Sequence, residues 1–269
     1  MNYKTDAYLI TCLTNMHVGS GEANYGVVDN LVQRDPITNV PIIHSSSLKG
    51  ALREHFKDVW SDDDGFNKLN YVFGKDPKRN GGETEVGYYK FFDANLIVLP
   101  VRSNLKPFFR ATSNFVLSEI NEKAKALGIE LNINPFDAVK GKPKVENGNI
   151  GCILEDYETE PGLGVDDRIK NILGSNLAFF HYDDFKELSK RLPVIARNQL
   201  ESGQSKNLWY EEVVPRESRF LFFVSKPKEG EEVKFDTDFE SELNNKTIQI
   251  GGNASIGYGY TKIINLSSL

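Results

Sequence analysis

The sequence predicts an α+β protein whose core is an antiparallel sheet with large insertions. Strand and helix patterns alternate along its 269 residues, but without the regular strand–helix–strand spacing of a doubly wound parallel sheet. Short apolar runs near both ends of the chain are typical of buried strands. With 39% hydrophobic residues, the chain can bury a core as one elaborated domain.

The N-terminal segment predicts a strand, a loop and a second strand. Residues 6–15 present two largely apolar faces, as in a central strand. Residues 17–26 contain three glycines and an asparagine and have no apolar period, so we expect a loop. A short strand is expected over 27–34, before the turn that begins at Asp35-Pro36.

The clearest helix pattern covers residues 48–59. Leu48, Leu52 and Phe56 recur at the spacing of one helical face, and charged residues occupy the other face. The serines at 45–47 offer hydroxyl groups for the helix N-cap. The following stretch, 62–87, is rich in Asp, Gly and Asn, which predicts a surface insertion with at most one short helix, over 66–73.

The remaining pattern predicts strands that alternate with two further helices. We expect a strand or strand pair over 88–101, helices over 112–127 and 183–192, an insertion over 130–173, a hairpin of strands 194–199 and 208–214 with a long polar tip, and strands over 220–224, 246–250 and 259–264. The predicted organisation is a single domain with its core in 1–60 and 194–269 and insertions in 61–193.

Charge does not exclude a polyanionic partner. The chain has 32 Lys+Arg against 38 Asp+Glu, and its pI is about 5.4. Three lysines and seven acids lie within 226–242, which gives that segment a net charge of −4 and leaves −2 for the rest. The cations that could line a groove are Arg34, Lys49, Arg53, Arg102, Lys106, Arg110, Arg191, Arg197, Arg216 and Arg219.

Several classes of protein are disfavoured. No apolar run approaches the roughly 18 residues of a membrane span, and an acid at position 6 interrupts the place of a signal peptide, so we expect a cytoplasmic protein without a membrane partner. Cys12 and Cys152 are too few for a zinc site or a disulfide framework. Sequence signatures of dinucleotide binding, nucleotide hydrolysis, zinc proteolysis and α/β-hydrolases are absent.

Two glycine-rich loops, 17–26 and 251–260, stand at opposite ends of the chain. Their backbone N–H groups could receive phosphates, or the glycines could simply supply turn geometry. Tyr25, Tyr258 and Tyr260 could stack on bases, although strand tyrosines are commonly just half-buried.

The motifs follow a recognisable order. His17-x-Gly-x-Gly21 precedes Gly26-Val-Val-Asp29 and Gln33-Arg34-Asp35, and then come Pro41-x-x-x-Ser-Ser-Ser-Leu-Lys-Gly-Ala-Leu-Arg53 and the terminal glycine-rich loop. This order resembles the RAMP superfamily of CRISPR systems. Within that family, Asn207-Leu-Trp-Tyr-Glu-Glu-Val-Val-Pro215 resembles the repeated backbone subunit of type III-B (Cmr) effector complexes. The resemblance is weak over roughly 62–192.

The resemblance implies a ferredoxin-like, RRM-related core with a protruding thumb hairpin, for which the hairpin near 201–207 is the candidate. It also implies a subunit that binds CRISPR RNA, stacks with copies of itself and other Cmr subunits, and cleaves complementary target RNA at regular intervals. The implied reaction is endoribonuclease chemistry, assisted by a Mg or Mn ion that binds transiently with substrate.

Carried over by residue, the resemblance implies that Asp29 is the catalytic carboxylate and metal ligand. His17 either hydrogen-bonds the scissile phosphate or caps the strand end. Glu211 is a catalytic or metal-ligand candidate, and alternation would point either Glu211 or Glu212 toward the site. The RNA-binding candidates are Gly19, Gly21, Ser47, Lys49, Arg53, Arg197, Trp209, Gly252, Gly257 and Tyr258.

Three alternatives stay open. The first is a RAMP subunit that holds guide RNA without cutting, for which Asp29 would be dispensable. The second is a guide-processing RAMP endonuclease, which would require an acid/base pair. The third, from another class, is an α+β protein whose glycine loops bind a small phosphate ligand. The family commonly has a proline soon after the catalytic aspartate, where this chain has Asn30-Leu31, which affects the expected shape of the loop.

Overall fold

The computed structural model describes residues 3–21, 26–61, 64–75, 82, 84–133, 136–147, 151–228 and 234–268. The strands are β1 Tyr3–Cys12, β2 Ile42–Ile43, β3 Gly74–Lys75, β4 Glu85–Val86, β5 Lys90–Phe91, β6 Ala94–Val101, β7 Phe109–Ser113, β8 Lys144–Glu146, β9 Ile153–Leu154, β10 Tyr157–Glu158, β11 Glu160–Leu163, β12 Leu177–Phe180, β13 Val194–Glu201, β14 Gln204–Glu212, β15 Arg219–Pro227, β16 Lys246–Gln249 and β17 Tyr260–Asn265. The helices are α1 Ser45–Val59, α2 Gly65–Phe73, α3 Asn114–Ala126, α4 Asp167–Leu173, α5 Tyr182–Lys190 and α6 Asp236–Leu243, with 3-10 turns at Ala254–Ile256 and Leu266–Ser268.

One large, mostly antiparallel sheet organises the molecule. Its strand order is β11-β8-β12-β7-β6-β15-β1-β17-β16, with β2 and β5 paired at its side. β1 lies between β15 and β17 and is antiparallel to both. This confirms the predicted α+β class with an antiparallel core. Among the described strands, β12 with β7 and β11 with β8 are parallel pairs.

Aromatic side chains join the helices α1, α2 and α6 to the sheet. Phe56 of α1 stacks on Phe239 of α6, with ring centroids 4.9 Å apart, and contacts Phe73 of α2 at 5.6 Å. On the sheet, Tyr8 stacks on Phe222 at 5.1 Å. All these rings are buried, and burial of such side chains contributes roughly 2 kcal/mol each to the stability of the fold.

The segment 130–173, whose turn-rich sequence predicts an insertion, contributes to the main sheet and to the hydrophobic core. It supplies β8 and β11 to the main sheet, and Val145, Ile169 and Leu173 belong to the hydrophobic core. The pattern was missed because these strands have only three and four residues, too short to show a period between the surrounding Pro, Gly and Asn clusters. The division into a core and insertions stays a prediction.

Three local predictions are also wrong. Residues 27–34, predicted as a strand, form isolated β-bridges instead, such as that of Val32 with Gly19. No continuous pairing develops within these described residues because the bridge partner changes at every second residue. The N-cap of α1 is His44, without a side-chain bond, and Asp93 from a distant segment accepts the N–H of Ser45 at 2.6 Å. The hairpin tip is short, because β13 and β14 extend to a turn at 202–203.

The helix α6 has no counterpart in the sequence prediction, which noted only the excess of acids in this segment. The predicted helices over 48–59, 66–73, 112–127 and 183–192 are confirmed by α1, α2, α3 and α5, with shifted ends. Among the helices of the described residues, none is long and apolar enough to cross a membrane.

Candidate functional site

Segments from both ends of the chain meet at the base of the β13–β14 hairpin. The backbone N–H groups of Asp29 and Asn30 both donate to the Tyr210 carbonyl, at 3.0 and 3.1 Å, and Glu212 N–H donates to the Asn30 carbonyl at 2.9 Å. These bonds fix the loop that follows the first glycine-rich segment along the edge of β14. Hydrogen bonds between residues about 180 positions apart thus place Asp29 beside the Trp-Tyr-Glu-Glu block.

Asp29 is exposed, and its carboxylate is oriented by the hairpin. Its Oδ2 atom accepts the N–H of Tyr210 at 2.7 Å. No described residue donates a hydrogen bond to its Oδ1 atom. One oxygen is therefore anchored while the other remains available to a group that approaches from solvent.

His17 is buried, with 8% of its surface exposed. Its Nδ1 atom lies 2.7 Å from the Glu212 carbonyl oxygen. Because a carbonyl can only accept, Nδ1 carries the proton of this bond. The Nε2 atom faces Gly19, where an added Cβ would lie only 3.1 Å away. His17 is thus held inside the hairpin base, with one ring nitrogen bonded to the Glu212 carbonyl.

The Glu211 carboxylate is the centre of a polar cluster. Its Oε1 atom accepts Trp209 Nε1–H at 2.9 Å, and its Oε2 atom accepts Arg197 Nε–H at 3.2 Å and Asn253 Nδ2–H at 2.9 Å. Burial opposes ionisation, but the bonds from Trp209 and Arg197 and the charges of His17 and Arg197 hold the pKa of Glu211 below its ordinary value. Since both oxygens are occupied, the arrangement favours a structural anion over a metal ligand.

Glu212 points to the opposite side of the strand. Its Oε1 atom forms an ion pair with Arg34 Nη2 at 2.5 Å, and its Oε2 atom accepts the Val32 N–H at 3.1 Å. The alternation expected for these two glutamates is therefore present, but both side chains are buried. Neither glutamate is an exposed surface charge, because each carboxylate ties the hairpin to a different loop.

The C-terminal glycine-rich loop closes the site from the other side. Gly252 N–H donates to the His17 carbonyl at 2.9 Å, and Gly259 N–H donates to the Asn15 carbonyl at 2.8 Å. At Gly251, whose φ is +91°, a Cβ would lie 2.4 Å from the His17 oxygen. The glycines therefore serve close packing of the two loops, and these two N–H groups are not free to receive phosphates.

Two other glycines and the tyrosines of these loops have different surroundings. Gly257 N–H donates to the Ala254 carbonyl at 3.0 Å, and Gly21 is exposed with a φ of +76°. The Arg197 guanidinium lies over the Tyr258 ring, with its carbon atom 4.4 Å from the ring centroid. Tyr260 is exposed, and Tyr25 lies outside the described residues.

The RNA-binding candidates on α1 divide into two groups. Ser47 belongs to the site, since Gln33 Nε2 donates both to Ser47 Oγ at 2.8 Å and to the Gly19 carbonyl at 3.2 Å. Arg53 instead donates to the Gly74 carbonyl at 2.6 Å. Burial, together with the charges of Lys90 and Arg53, lowers the pKa of Lys49. Lys49, Arg53 and Lys90 thus form a separate cationic group that faces α2.

Sequence reasoning gave no role to two residues that assemble the site, Gln33 and Asn253. Gln33 is 8% exposed, and its Oε1 atom accepts the His44 N–H at 2.8 Å. Its place in the Gln33-Arg34-Asp35 motif was the only available signal. Each of these side chains acts on a residue more than ten positions away, which no local pattern reveals.

The described residues contain one group of three acids close enough to hold a cation, and it lies elsewhere. Asp6, Asp236 and Glu240 converge, but the Nζ atom of Lys226 pairs with all three, at 2.9 Å from Asp6 and 2.7 Å from Asp236. An ammonium group therefore already occupies this cluster.

The chain matches one protein family over most of its length. Residues 9–262 match the model of the RAMP superfamily. The chain belongs to the RAMP superfamily. This RAMP protein is 28% identical over 288 residues to the CRISPR system Cmr endoribonuclease Cmr4 of Pyrococcus furiosus, a match that covers 96% of this chain and 95% of that protein. It is also 28% identical over 159 residues to the CRISPR system Cms endoribonuclease Csm3 of Streptococcus thermophilus, covering 54% of this chain and 70% of that one.

Solved structures share the fold of this RAMP protein. The type III-B Cmr-beta complex bound to cognate target RNA contains a chain with a TM-score of 0.75 and 22% identity, covering 98% of both chains. Oligomeric Cmr4 from Pyrococcus furiosus gives a TM-score of 0.72 and 21% identity, covering 97% of this chain and 98% of that one.

Proposed function

We propose that this RAMP protein is the guide-RNA-binding backbone subunit of a type III-B CRISPR complex and that it cleaves complementary target RNA. The end-to-end similarity to the endoribonuclease Cmr4 supports the activity. The observation that carries the site assignment is the Asp29 carboxylate, exposed on its loop with one oxygen anchored by Tyr210 N–H. Its partners are CRISPR RNA, target RNA, further copies of the chain and other Cmr subunits.

Asp29 would act on the ribose 2′-OH of the target. In this reaction the 2′ oxygen forms a bond to phosphorus as its proton passes to a base, and the bond from phosphorus to the 5′ oxygen breaks as that oxygen takes up a proton from solvent. The Oδ1 atom of Asp29 would accept that proton or its hydrogen bond, while Tyr210 N–H keeps the carboxylate in place. Positioning of this kind favours in-line geometry, which supplies much of the rate of such a reaction.

His17, Glu211 and Arg197 are positioning residues in this proposal. They connect the loop after β1, the hairpin base and the C-terminal loop through the Glu212 carbonyl, the Glu211 carboxylate and Asn253. The same network of contacts includes three RNA-binding candidates. Gln33 bonds to Ser47, Glu211 accepts a bond from Trp209, and Arg197 lies over the ring of Tyr258. A target strand would meet Asp29 only while these loops hold their mutual positions.

The described residues around Asp29 do not form a resident metal site. Asp29 supplies one available oxygen, and the neighbouring Glu211 carboxylate is occupied by three donors. A divalent ion requires several oxygen ligands. Asp29 would therefore supply at most one ligand to a Mg or Mn ion that arrives with the substrate, and such an ion would help to neutralise charge on the phosphate.

The proposed function is tested with the assembled complex and end-labelled RNA. A target complementary to the guide should give products at a constant spacing, and a scrambled target of equal length should stay intact. Binding of the complementary target without any product would support a scaffold subunit, and cutting of the repeat RNA alone would support a guide-processing enzyme. A chain that binds only small phosphate compounds and retains no RNA would contradict the proposal altogether.

A further inference from the structure

A largely buried arginine, Arg34, ends the loop that carries Asp29. Its side chain is 15% exposed, and its Nη2 atom forms an ion pair with Glu212 Oε1 at 2.5 Å. Its Nη1 atom donates to two backbone carbonyls, those of Asn39 at 2.9 Å and Ser189 at 3.0 Å. One guanidinium group therefore joins three segments of the chain: the hairpin base, the turn after Asp35 and the end of α5.

The Ser189 carbonyl belongs to a helix end that is fixed in the core. Ser189 and Phe185 of α5 are both fully buried, and the helix ends at Lys190. Carbonyl groups in the last turn of a helix lack partners within the helix and carry partial negative charge, so a cation is a favourable partner for them. α5 therefore gives Arg34 a rigid attachment point outside both glycine-rich loops.

Glu212 extends this attachment to the backbone next to Asp29. Its Oε2 atom accepts the N–H of Val32 at 3.1 Å, and its own N–H donates to the carbonyl of Asn30 at 2.9 Å. Asn30 follows Asp29 directly in the chain. The loop is thus held at two points by a glutamate whose side chain is 6% exposed and whose charge is opposed by Arg34.

The position of Glu212 depends on the charge and on the shape of the Arg34 side chain. Within the described part of the chain, Arg34 is the sole cation paired with Glu212. A buried carboxylate that loses its cation is strongly unfavourable, so Glu212 would shift and disturb its bonds to residues 30 and 32. Lysine would keep the charge, but one ammonium group does not reproduce the planar fork that reaches a carboxylate and two carbonyls together.

We propose that Arg34 is a positioning residue for target cleavage, which fixes the Asp29 loop against the end of α5 through Glu212. The inference rests on the proposed function, because it assigns the reaction to Asp29. Arg34 acts through Glu212 and the loop backbone, without contact to the substrate. Since a displacement of about 1 Å at a reacting group can lower a rate about 100-fold, the loss of this attachment affects the reaction more than it affects target binding.

The test measures the single-turnover rate of target cleavage at saturating target, and the Kd for the target, in the assembled complex. Arg34→Gln should lower the rate about 100-fold and leave the Kd within about twofold of wild type, as expected for an interaction that matters in the transition state. Arg34→Lys keeps the charge without the fork and should lower the rate about tenfold. If Arg34→Gln does not assemble, Arg34→Lys decides the question by the same two measurements.

Arg110→Gln is the matched control, because it breaks an ion pair of the same geometry. Arg110 Nη2 lies 2.5 Å from Glu217 Oε2, its Nη1 atom donates to the Ser175 carbonyl at 2.8 Å, and its side chain is 13% exposed. Among the described residues, neither member of this pair bonds to residues 29–34 or to the hairpin. Urea unfolding should show comparable losses of stability for the two variants, and Arg110→Gln should cleave at the wild-type rate.

The double variant Arg34→Gln/Glu212→Gln tests whether the two residues act as one unit. Its rate should lie within about threefold of that of Arg34→Gln, and fully multiplicative losses would show that Arg34 does not act through Glu212. A wild-type rate in Arg34→Gln overturns the inference and leaves the proposed function standing. Equal rate losses in Arg34→Gln and Arg110→Gln, or weaker target binding at an unchanged rate, also overturn it. Absence of cleavage by the wild-type complex overturns both proposals.

Discussion

At the scale of single residues, two buried carboxylates hold the loops that surround the exposed carboxylate of Asp29. Glu211 and Glu212 are 6% and 5% exposed and accept bonds from different segments. Asp29 keeps one oxygen available. The burial of polar groups is tolerated because each is hydrogen-bonded, and the same bonds orient the group that is not buried.

Glu211→Gln should lower the free energy of unfolding by about 2 kcal/mol at pH 7. The hydrogen bonds that the charged carboxylate accepts become weaker bonds to a neutral amide oxygen, and the new amide N–H₂ group faces a side chain that is itself a donor. The pKa of Glu211 is below its ordinary value. Its contribution is therefore complete above the ordinary glutamate pKa of about 4.3 and is lost as the pH falls through the folded pKa. Urea unfolding at pH 7 and in steps below pH 4.5 measures both effects.

Glu130→Gln is the control for this prediction, since Glu130 is exposed and should change the unfolding free energy by less than about 0.5 kcal/mol. A difference between wild type and Glu211→Gln that stays constant on acidification would show that the Glu211 charge does not stabilise the site.

At the scale of elements, the β13–β14 hairpin pairs only with itself over most of its length and is largely exposed. Replacing 200–206 by Asn-Gly, which suits a two-residue turn, should leave the melting temperature within about 2 °C of wild type, since few buried contacts are lost. In the assembled complex the regular product spacing should disappear. Unchanged spacing would show that this hairpin is not the thumb.

The helix α6 depends on a buried ion cluster. Burial alone would lower the pKa of Lys226, but the charges and hydrogen bonds of Glu240, Asp236 and Asp6 raise it. Lys226→Met leaves three carboxylates close together, and we expect a loss of about 3–5 kcal/mol in the free energy of unfolding. The wild-type contribution is complete below the ordinary lysine pKa of about 10.4 and is lost as the pH rises through the higher folded pKa.

Urea unfolding and amide hydrogen exchange over 236–243 test this account of α6. Lys125→Met is the control, because Lys125 is exposed on α3. If the two variants lose the same stability, the cluster around Lys226 does not hold α6 on the sheet.

The elements also show which features a sequence pattern can predict. α1 and β15 were predictable because their apolar residues repeat over 15 and 9 residues. β8 and α6 were not, since β8 is three residues long and α6 presents only two buried apolar side chains, Phe239 and Leu243, among acids that pair with Lys226 of β15. The prediction of a strand over 27–34 was wrong because the backbone bridges of these residues go to three different segments.

The candidate site also combines features that a sequence pattern can indicate with features that depend on tertiary contacts. The assignment of Asp29 rests on its place in a family's order of motifs and stays a prediction, whereas the bonds of Gln33 and Asn253 arise only when distant loops meet. Glu211 lies in the polar cluster at the hairpin base, and its role in the reaction also stays a prediction. Its engagement by three donors follows from tertiary contacts that the Trp-Tyr-Glu-Glu block does not encode.

At the scale of the whole molecule, one sheet carries both ends of the chain side by side. β1, β15 and β17 are neighbours, so the loop after β1, the segment between β14 and β15, and the loop before β17 lie close together. This topology brings the loops that surround Asp29 to the same end of the sheet.

The measurement that tests the account most directly is the single-turnover rate of target cleavage by the complex with Asp29→Asn, at equal target binding. The substitution preserves the side-chain size and an oxygen for the Tyr210 N–H. Asp58→Asn, at an exposed acid on α1, is the matched control. We predict a loss of at least about 100-fold for Asp29→Asn and wild-type cleavage for the control. Cleavage at the wild-type rate and spacing by Asp29→Asn would contradict the assignment of the reaction to this site.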